Sequence, residues 1–154
     1  MKYLKYILMP LIAVCLLSGC NDEDDIMAIL DSGEWTLGNY FTGGDWDNVN
    51  KPGRPKYQPG EDLAAVNKLK ITFNEDNTVE LKLSKGVYSG KWHGDASGRT
   101  LRITDLATPH NLTGKDKEFV ETLKLVRYYS GDWNYLKLGP EDKRTYMQLR
   151  HFKD

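Results

Sequence analysis

Apolar and polar residues alternate one for one over much of the chain beyond Trp35, the two-residue period of strands with one buried face. Leu69, Ile71 and Phe73 interleave with Lys68, Lys70 and Thr72; Val79, Leu81 and Leu83 interleave with Glu80, Lys82 and Ser84. The polar joint Asn74-Glu75-Asp76-Asn77 between these runs predicts a β-hairpin. Lys85-Gly86 turns the chain again, and Tyr88, Gly90 and Trp92 share one face of the next strand. Gly94 to Gly98 predicts a turn before Leu101 and Ile103. Trp35, Leu37 and Asn39 to Phe41 predict a first strand; Asn134 to Leu138 and Thr145 to Phe152 predict the last two, after a turn at Gly131-Asp132. Charged residues occupy the opposite face, so the sheet has one wet side.

The period changes after Pro109. Over Lys115 to Leu125, Phe119, Leu123 and then Val126 recur at spacings of four and three, which predicts a helix on the sheet or across a barrel mouth. Asn111 and Thr113 are both placed to cap it, and Asp116 and Glu118 lie near its positive end. Leu123 and Leu125 also alternate, which leaves a strand over Leu123 to Tyr129 as the alternative. Gly43 to Asn67 breaks the rhythm with three prolines, four glycines, Trp46 and Tyr57. Connections of that length are usually functional or disordered. Within it, Glu61 to Val66 predicts a short helix covering part of the barrel. The expected class is mainly β: seven or eight short strands in an antiparallel meander that closes into a barrel, with one late helix, because closure leaves no open edge.

The front of the chain follows another pattern. Lys2 and Lys5 precede a twelve-residue apolar run, Tyr6 to Leu17, and the small pair Ser18-Gly19. This predicts a secretory signal over residues 1–19. The run contains Pro10 and falls short of the roughly 20 apolar residues that span a bilayer. Leu17-Ser18-Gly19-Cys20 resembles the lipobox of bacterial lipoproteins. That resemblance implies diacylglycerol on the Cys20 sulfur, cleavage before Cys20 and acylation of the new amino group. Each buried methylene contributes about 0.8 kcal/mol and one chain binds a membrane only marginally, so several chains on one residue make a stable anchor. Residues 20–32 then form a tether and residues 33–154 the barrel domain.

Asp22, Glu23, Asp24 and Asp25 open that tether as a self-repelling, solvated block. The cluster resembles the surface-export signal of some Gram-negative lipoproteins, whereas an Asp placed as Asp22 is marks inner-membrane retention in others. The expected location is the outer membrane, lipid-anchored and surface-exposed, with the periplasmic face as alternative.

Charge and cysteine content narrow the classes. The chain has 21 Lys+Arg and 22 Asp+Glu; loss of Lys2 and Lys5 with the signal leaves 19 against 22. An acidic surplus argues against a nucleic-acid partner. Of the two cysteines, Cys15 leaves with the signal and Cys20 is alkylated, so no disulfide, thiol nucleophile or thiolate ligand is expected. Such a domain rests on its hydrophobic core, for which about 130 residues suffice.

Gly33-Glu34-Trp35-Thr36-Leu37 resembles the Gly-x-Trp opening of lipocalin-like domains, and Leu69-x-Ile71-x-Phe73, Tyr88-Ser89-Gly90-Lys91-Trp92 and Leu101-Arg102-Ile103-Thr104 resemble the central hairpins of small lipocalin-like lipoproteins. Lys117 to Leu123, with Tyr129 and Leu136-Lys137-Leu138, resembles the late helix and strand of META-domain lipoproteins. The META cysteines are missing, and Gly86-Val87-Tyr88 stands where that family often has Gly-Cys-Asn. The resemblance implies a barrel and the lipoprotein class, and transfers no functional residue.

Catalytic patterns are scarce. His93, His110 and His151 fall in different elements with no zinc-helix spacing, and no serine sits in a Gly-x-Ser-x-Gly elbow. Gly43-Gly44 runs into Asp45, which is wrong for phosphate. Asp45 to Asn50 alternates oxygen side chains but lacks the glycine and distal glutamate of a calcium loop. A glycan hydrolase with paired carboxylates rests only on the abundance of acids. No enzyme, cofactor or metal is expected. Aromatics are the better signal. Trp35 and Trp92 are expected inside, near the barrel floor. Trp46, Tyr57 and Trp133 fall in loops or turns and are the candidate binding residues for a small apolar ligand, a sugar or an envelope protein. The alternative is a structural or stress-related envelope protein whose barrel is filled and binds nothing small.

Overall fold

The computed structural model describes residues 28–48 and 50–151, so the leader, Cys20, the acidic block and Phe152 lie outside the described residues. Among the described residues the strands are β1 (Glu34–Thr42), β2 (Arg54–Pro55), β3 (Lys70–Phe73), β4 (Thr78–Leu83), β5 (Gly86–Asp95), β6 (Thr100–Thr104), β7 (Tyr128–Gly131), β8 (Tyr135–Gly139) and β9 (Thr145–Arg150). The helices are α1 (Glu61–Val66) and α2 (Gly114–Leu125). All pairings are antiparallel, in the order β2-β1-β3-β4-β5-β6-β7-β8-β9, and a β1–β9 ladder shuts the sheet. β1 and β3 to β9 therefore form the closed eight-strand barrel that the alternation predicts, while the two-residue β2 hangs on the flank of β1.

Alternation works as expected in β3, β4 and β6, where every second side chain is buried. β1 departs from it, because Trp35, Thr36 and Leu37 are all buried. A register shift between Leu37 and Asn39 on the β9 side bends the strand there. Gly38 occupies the bend, and a Cβ on it would stand 3.1 Å from the Gln148 carbonyl oxygen. In the β3–β4 turn, Asn77 takes the left-handed conformation (φ 62°), which asparagine tolerates better than most residues.

Side chains fill the barrel. Leu37, Ile71, Phe73, Val79, Leu81, Trp92, Leu101, Leu136, Leu138, Met147 and Leu149 form one buried cluster. The antiparallel order sorts the connections onto two ends. One, the turn end, carries the short turns after β3, β5 and β7, the incoming segment before β1 and the exit after β9. The other, the loop end, carries residues 43–69 with α1, the Ser84-Lys85 turn, residues 105–127 with α2, and residues 140–144.

Trp35 and Trp92 pack inside at the turn end. The Trp92 indole donates to the Asn74 carbonyl at 3.1 Å and meets Phe73 edge to face at 5.7 Å. Residues 28–30 are helical and Leu30 is fully buried, so the packed unit begins ahead of Gly33. Trp35 donates to the Leu30 carbonyl, and His151 lies on the Trp35 ring at 3.7 Å with Nε2 2.6 Å from Ser32 Oγ. At the loop end, Phe119 and Leu123 of α2 and Val126 just after it enter the core as the helical spacing predicts, and Val120 joins them. The alternative strand over Leu123 to Tyr129 does not form; the helix ends at Leu125 and β7 starts at Tyr128.

Candidate binding cleft

The three aromatic residues singled out in the sequence do not meet. Trp46 is buried (7% exposed), contrary to its expected exposure in a loop. It lies against Gly139, where a Cβ would come within 2.6 Å of the indole, and meets Tyr146 edge to face at 6.1 Å. Tyr57 is half-buried; its hydroxyl donates to the Glu118 carboxylate, and Lys115 Nζ sits 3.8 Å from its ring centroid. Trp133 is 54% exposed, but it lies in the β7–β8 turn, at the opposite end from the other two. In the Asp45–Asn50 segment, Asp45 accepts from the Asp47 N–H and Asn48 from the Asn50 N–H. Those oxygens cap turns.

Tyr57 belongs to a cluster that fastens the long loop to α2. Lys56 Nζ contacts the Glu118 carboxylate at 2.6 Å, and that bond holds the ammonium above the ordinary lysine range. Tyr40 lies beneath, its ring 6.2 Å from that of Tyr57. Burial, then the negative charge of Glu118, push the Tyr40 phenol far above the usual tyrosine range, so it stays protonated. Its buried hydroxyl stands near Thr122 without completing a hydrogen bond.

Beside this cluster, at the loop end, a cleft of about 590 Å³ opens between three walls. The end of α1 and the residues after it supply Ala65, Lys68 and Leu69. The β4–β5 hairpin supplies Lys82, Leu83, Ser84, Lys85 and Tyr88. The approach to α2 supplies Pro109, Asn111, Leu112 and Thr113, and its first turn Lys115 and Asp116. Leu69 and Leu83 are buried, and Leu112 and Tyr88 are packed against the core, so the floor is apolar while four lysines stand around it.

Two contacts hold the walls. Asp116, read from sequence as a charge near the helix start, is buried (7% exposed) and accepts from both the Ser84 N–H, at 3.2 Å, and the Ser84 hydroxyl. It thereby ties the β4–β5 turn to the first turn of α2. Lys115 reaches the Asp62 carboxylate at 3.1 Å, and the Tyr57 phenol, then Asp62, hold its ammonium above the ordinary lysine range. Lys68, Lys82 and Lys85 form no ion pair among the described residues. Sequence reasoning missed these lysines, because each looks like the wet partner of an apolar neighbour. Their common signal is position: Lys85 lies in the turn that follows β4 and Lys82 just before it, and Lys68 precedes the strand that pairs with β4.

A family model described as a domain of unknown function, DUF4847, matches residues 21–151. A solved crystal structure of a DUF4847 family protein from Bacteroides vulgatus ATCC 8482 is similar to this chain with 30% identity and a TM-score of 0.72. The match covers 84% of this chain and 99% of that one. An NMR structure of a protein from Burkholderia xenovorans shares the fold at a TM-score of 0.55 and 12% identity, over 83% of this chain and 87% of that one. No curated protein matches. With nearly the whole barrel inside the family model and a relative of the same family over its full length, the chain belongs to the DUF4847 family.

Proposed function

We propose that this DUF4847 barrel is a lipid-anchored outer-membrane protein that binds a small ligand without transforming it, at the loop-end cleft rather than inside the barrel. The observation that carries the reading is the cleft: an apolar floor rimmed by lysines, of a volume within the roughly 300–1,000 Å³ typical of small-molecule sites. The filled interior supports an outside site, since a lipocalin-type internal ligand has no room among the packed side chains. A non-catalytic role is supported by the lining, where Asp116 is the single carboxylate and both its oxygens are engaged by Ser84. The anchor is supported by Leu17-Ser18-Gly19-Cys20, and the surface location by the acids after it.

The test is a binding map. The isotope-labelled protein is titrated with small anionic, neutral and cationic amphiphiles and with simple sugars while backbone resonances are followed. Shifts confined to residues 65–69, 82–88 and 109–116 are the expected result. If no compound moves those resonances, the second reading takes over: a structural envelope protein, which the filled barrel also favours. Cys20→Ser, expected to move the protein from the membrane to the soluble fraction, tests the anchor separately.

A further inference from the structure

We propose that the ligand of the loop-end cleft is an anionic single-chain amphiphile, its alkyl chain over Leu69, Leu83 and Leu112 and its carboxylate, sulfate or phosphate head among Lys68, Lys82 and Lys85. The inference rests on the reading of the cleft as a binding site and adds the ligand's chemistry.

Charge is the first argument. Four lysines and one carboxylate line the cleft, in a chain whose formal net charge is −1. Asp116 is committed to Ser84 and Asp62 to Lys115, so neither neutralises the other three ammonium groups. Like charges held together repel, and the low-dielectric floor of a cleft strengthens the field that they project. An anion entering there relieves that repulsion.

The floor chooses the rest of the molecule. Leu69, Leu83, Leu112 and Ala65 are aliphatic, and Tyr88 is the single aromatic ring in the lining. Sugar sites are built on aromatic faces with planar polar side chains around them, whereas aliphatic floors suit methylene chains. The cleft has a small-molecule volume, which fits one chain and not a two-chain phospholipid.

The walls are set in advance. The Asp116–Ser84 bonds hold the hairpin to α2, and the Lys115–Asp62 pair holds the α1 region to α2. A ligand then meets a formed site and spends less of its binding energy on ordering it.

The test uses calorimetric and resonance titrations of the processed chain, residues 20–154, carrying Cys20→Ala and purified without detergent. The probes are dodecanoate, dodecyltrimethylammonium and dodecanol, each below its aggregation threshold, together with acetate and phosphatidylglycerol vesicles. Dodecanoate is expected to bind in the cleft and acetate not to. The affinity should fall as salt rises from about 0.01 M to about 1 M, over which the screening length shrinks from ~30 Å to ~3 Å. The double variant Lys82→Gln/Lys85→Gln removes two exposed charges and should lose about tenfold or more in dodecanoate affinity with its melting temperature unchanged. Dodecanol or the cation binding as tightly as dodecanoate, or the double variant binding normally, would overturn the anionic ligand while leaving the cleft a site. Vesicles binding in place of dodecanoate would assign the cleft to a membrane headgroup and overturn the single-chain ligand. No probe moving a cleft resonance would overturn the site itself.

Discussion

Trp46 shows how far a residue's surroundings can differ from its sequence neighbours. It sits in a polar, glycine-rich loop, yet its indole lies on the bare backbone of Gly139 and against Tyr146. Nothing near Trp46 in the chain announces that seat, because the seat is an absent side chain on a distant strand. Gly139→Ala should therefore destabilise the barrel by about 1–3 kcal/mol through overpacking. In a denaturant titration the midpoint should fall, with native tryptophan emission shifted to the red as Trp46 is lifted toward water. Tyr40 makes the converse case. Its buried hydroxyl completes no hydrogen bond, and an unmet buried polar group costs about 1–3 kcal/mol. Tyr40→Phe should be neutral or stabilising by up to about 1 kcal/mol, as read by thermal melting, whereas a loss beyond that would show that the hydroxyl is satisfied in solution. Trp92 was legible as an interior residue because it lies in phase with the alternation of its strand, and Trp35 because it pairs with Leu37 two residues on, although Thr36 between them is buried as well. The cleft lysines were not, since alternation says which face a residue takes but not which strand ends share a corner.

Among the elements, β6 and β7 form the weakest seam. They share one register pair, Thr100 with Tyr128, whereas β3–β4 and β7–β8 have four each and β4–β5 has six. Two further backbone bonds, Leu101 N–H to Arg127 and Tyr129 N–H to Arg99, flank that pair. The crossing from β6 to β7 contains α2, and Phe119, Val120 and Leu123 bury themselves in the core there. The helix thus supplies packing where the ladder is short. Phe119→Ala should cost about 3–5 kcal/mol in equilibrium unfolding. Hydrogen exchange should show the Leu101 and Tyr129 amides losing protection in this variant before those of the β3–β4–β5 meander; uniform loss would mean that α2 stabilises the barrel as a whole. The helix was readable from Phe119, Leu123 and Val126, and Glu61 to Val66 from its own short segment. The strand alternative failed for a physical reason: Leu125 points to solvent (60% exposed), so Leu123 and Leu125 do not share a buried face. The two-residue β2 carried no signal, being held by pairing of Phe41 and Thr42 with Arg54 and Pro55 rather than by any pattern of its own.

At the scale of the molecule, an even number of antiparallel strands fixes which end each connection occupies, and this gives the barrel a polarity. The chain enters at the turn end, where Leu30 is buried and His151 packs on Trp35. The cleft opens at the other end, between the Ser84-Lys85 turn and the approach to α2. Only the residues between Cys20 and the helical segment at 28–30 separate the proposed anchor from the packed unit, a reach of at most about 25–30 Å when fully extended. A strand the length of β1, at about 3.3 Å per residue and a tilt of roughly 35–45°, carries the two ends about 20 Å apart. A fully extended tether outreaches that distance, so an anchor at Cys20 would favour rather than fix an orientation with the turn end toward the membrane and the cleft toward the medium, where a dilute amphiphile arrives. Because the processed protein would have no free thiol, single labels can be placed cleanly by Trp133→Cys at the turn end and Lys85→Cys beside the cleft. With the lipidated protein in vesicles containing an acceptor dye, energy transfer should be stronger from position 133 than from position 85. Equal transfer would mean that the tether lets the barrel tumble, and the reverse order would place the cleft against the bilayer, where a membrane lipid rather than a free amphiphile would be its natural occupant.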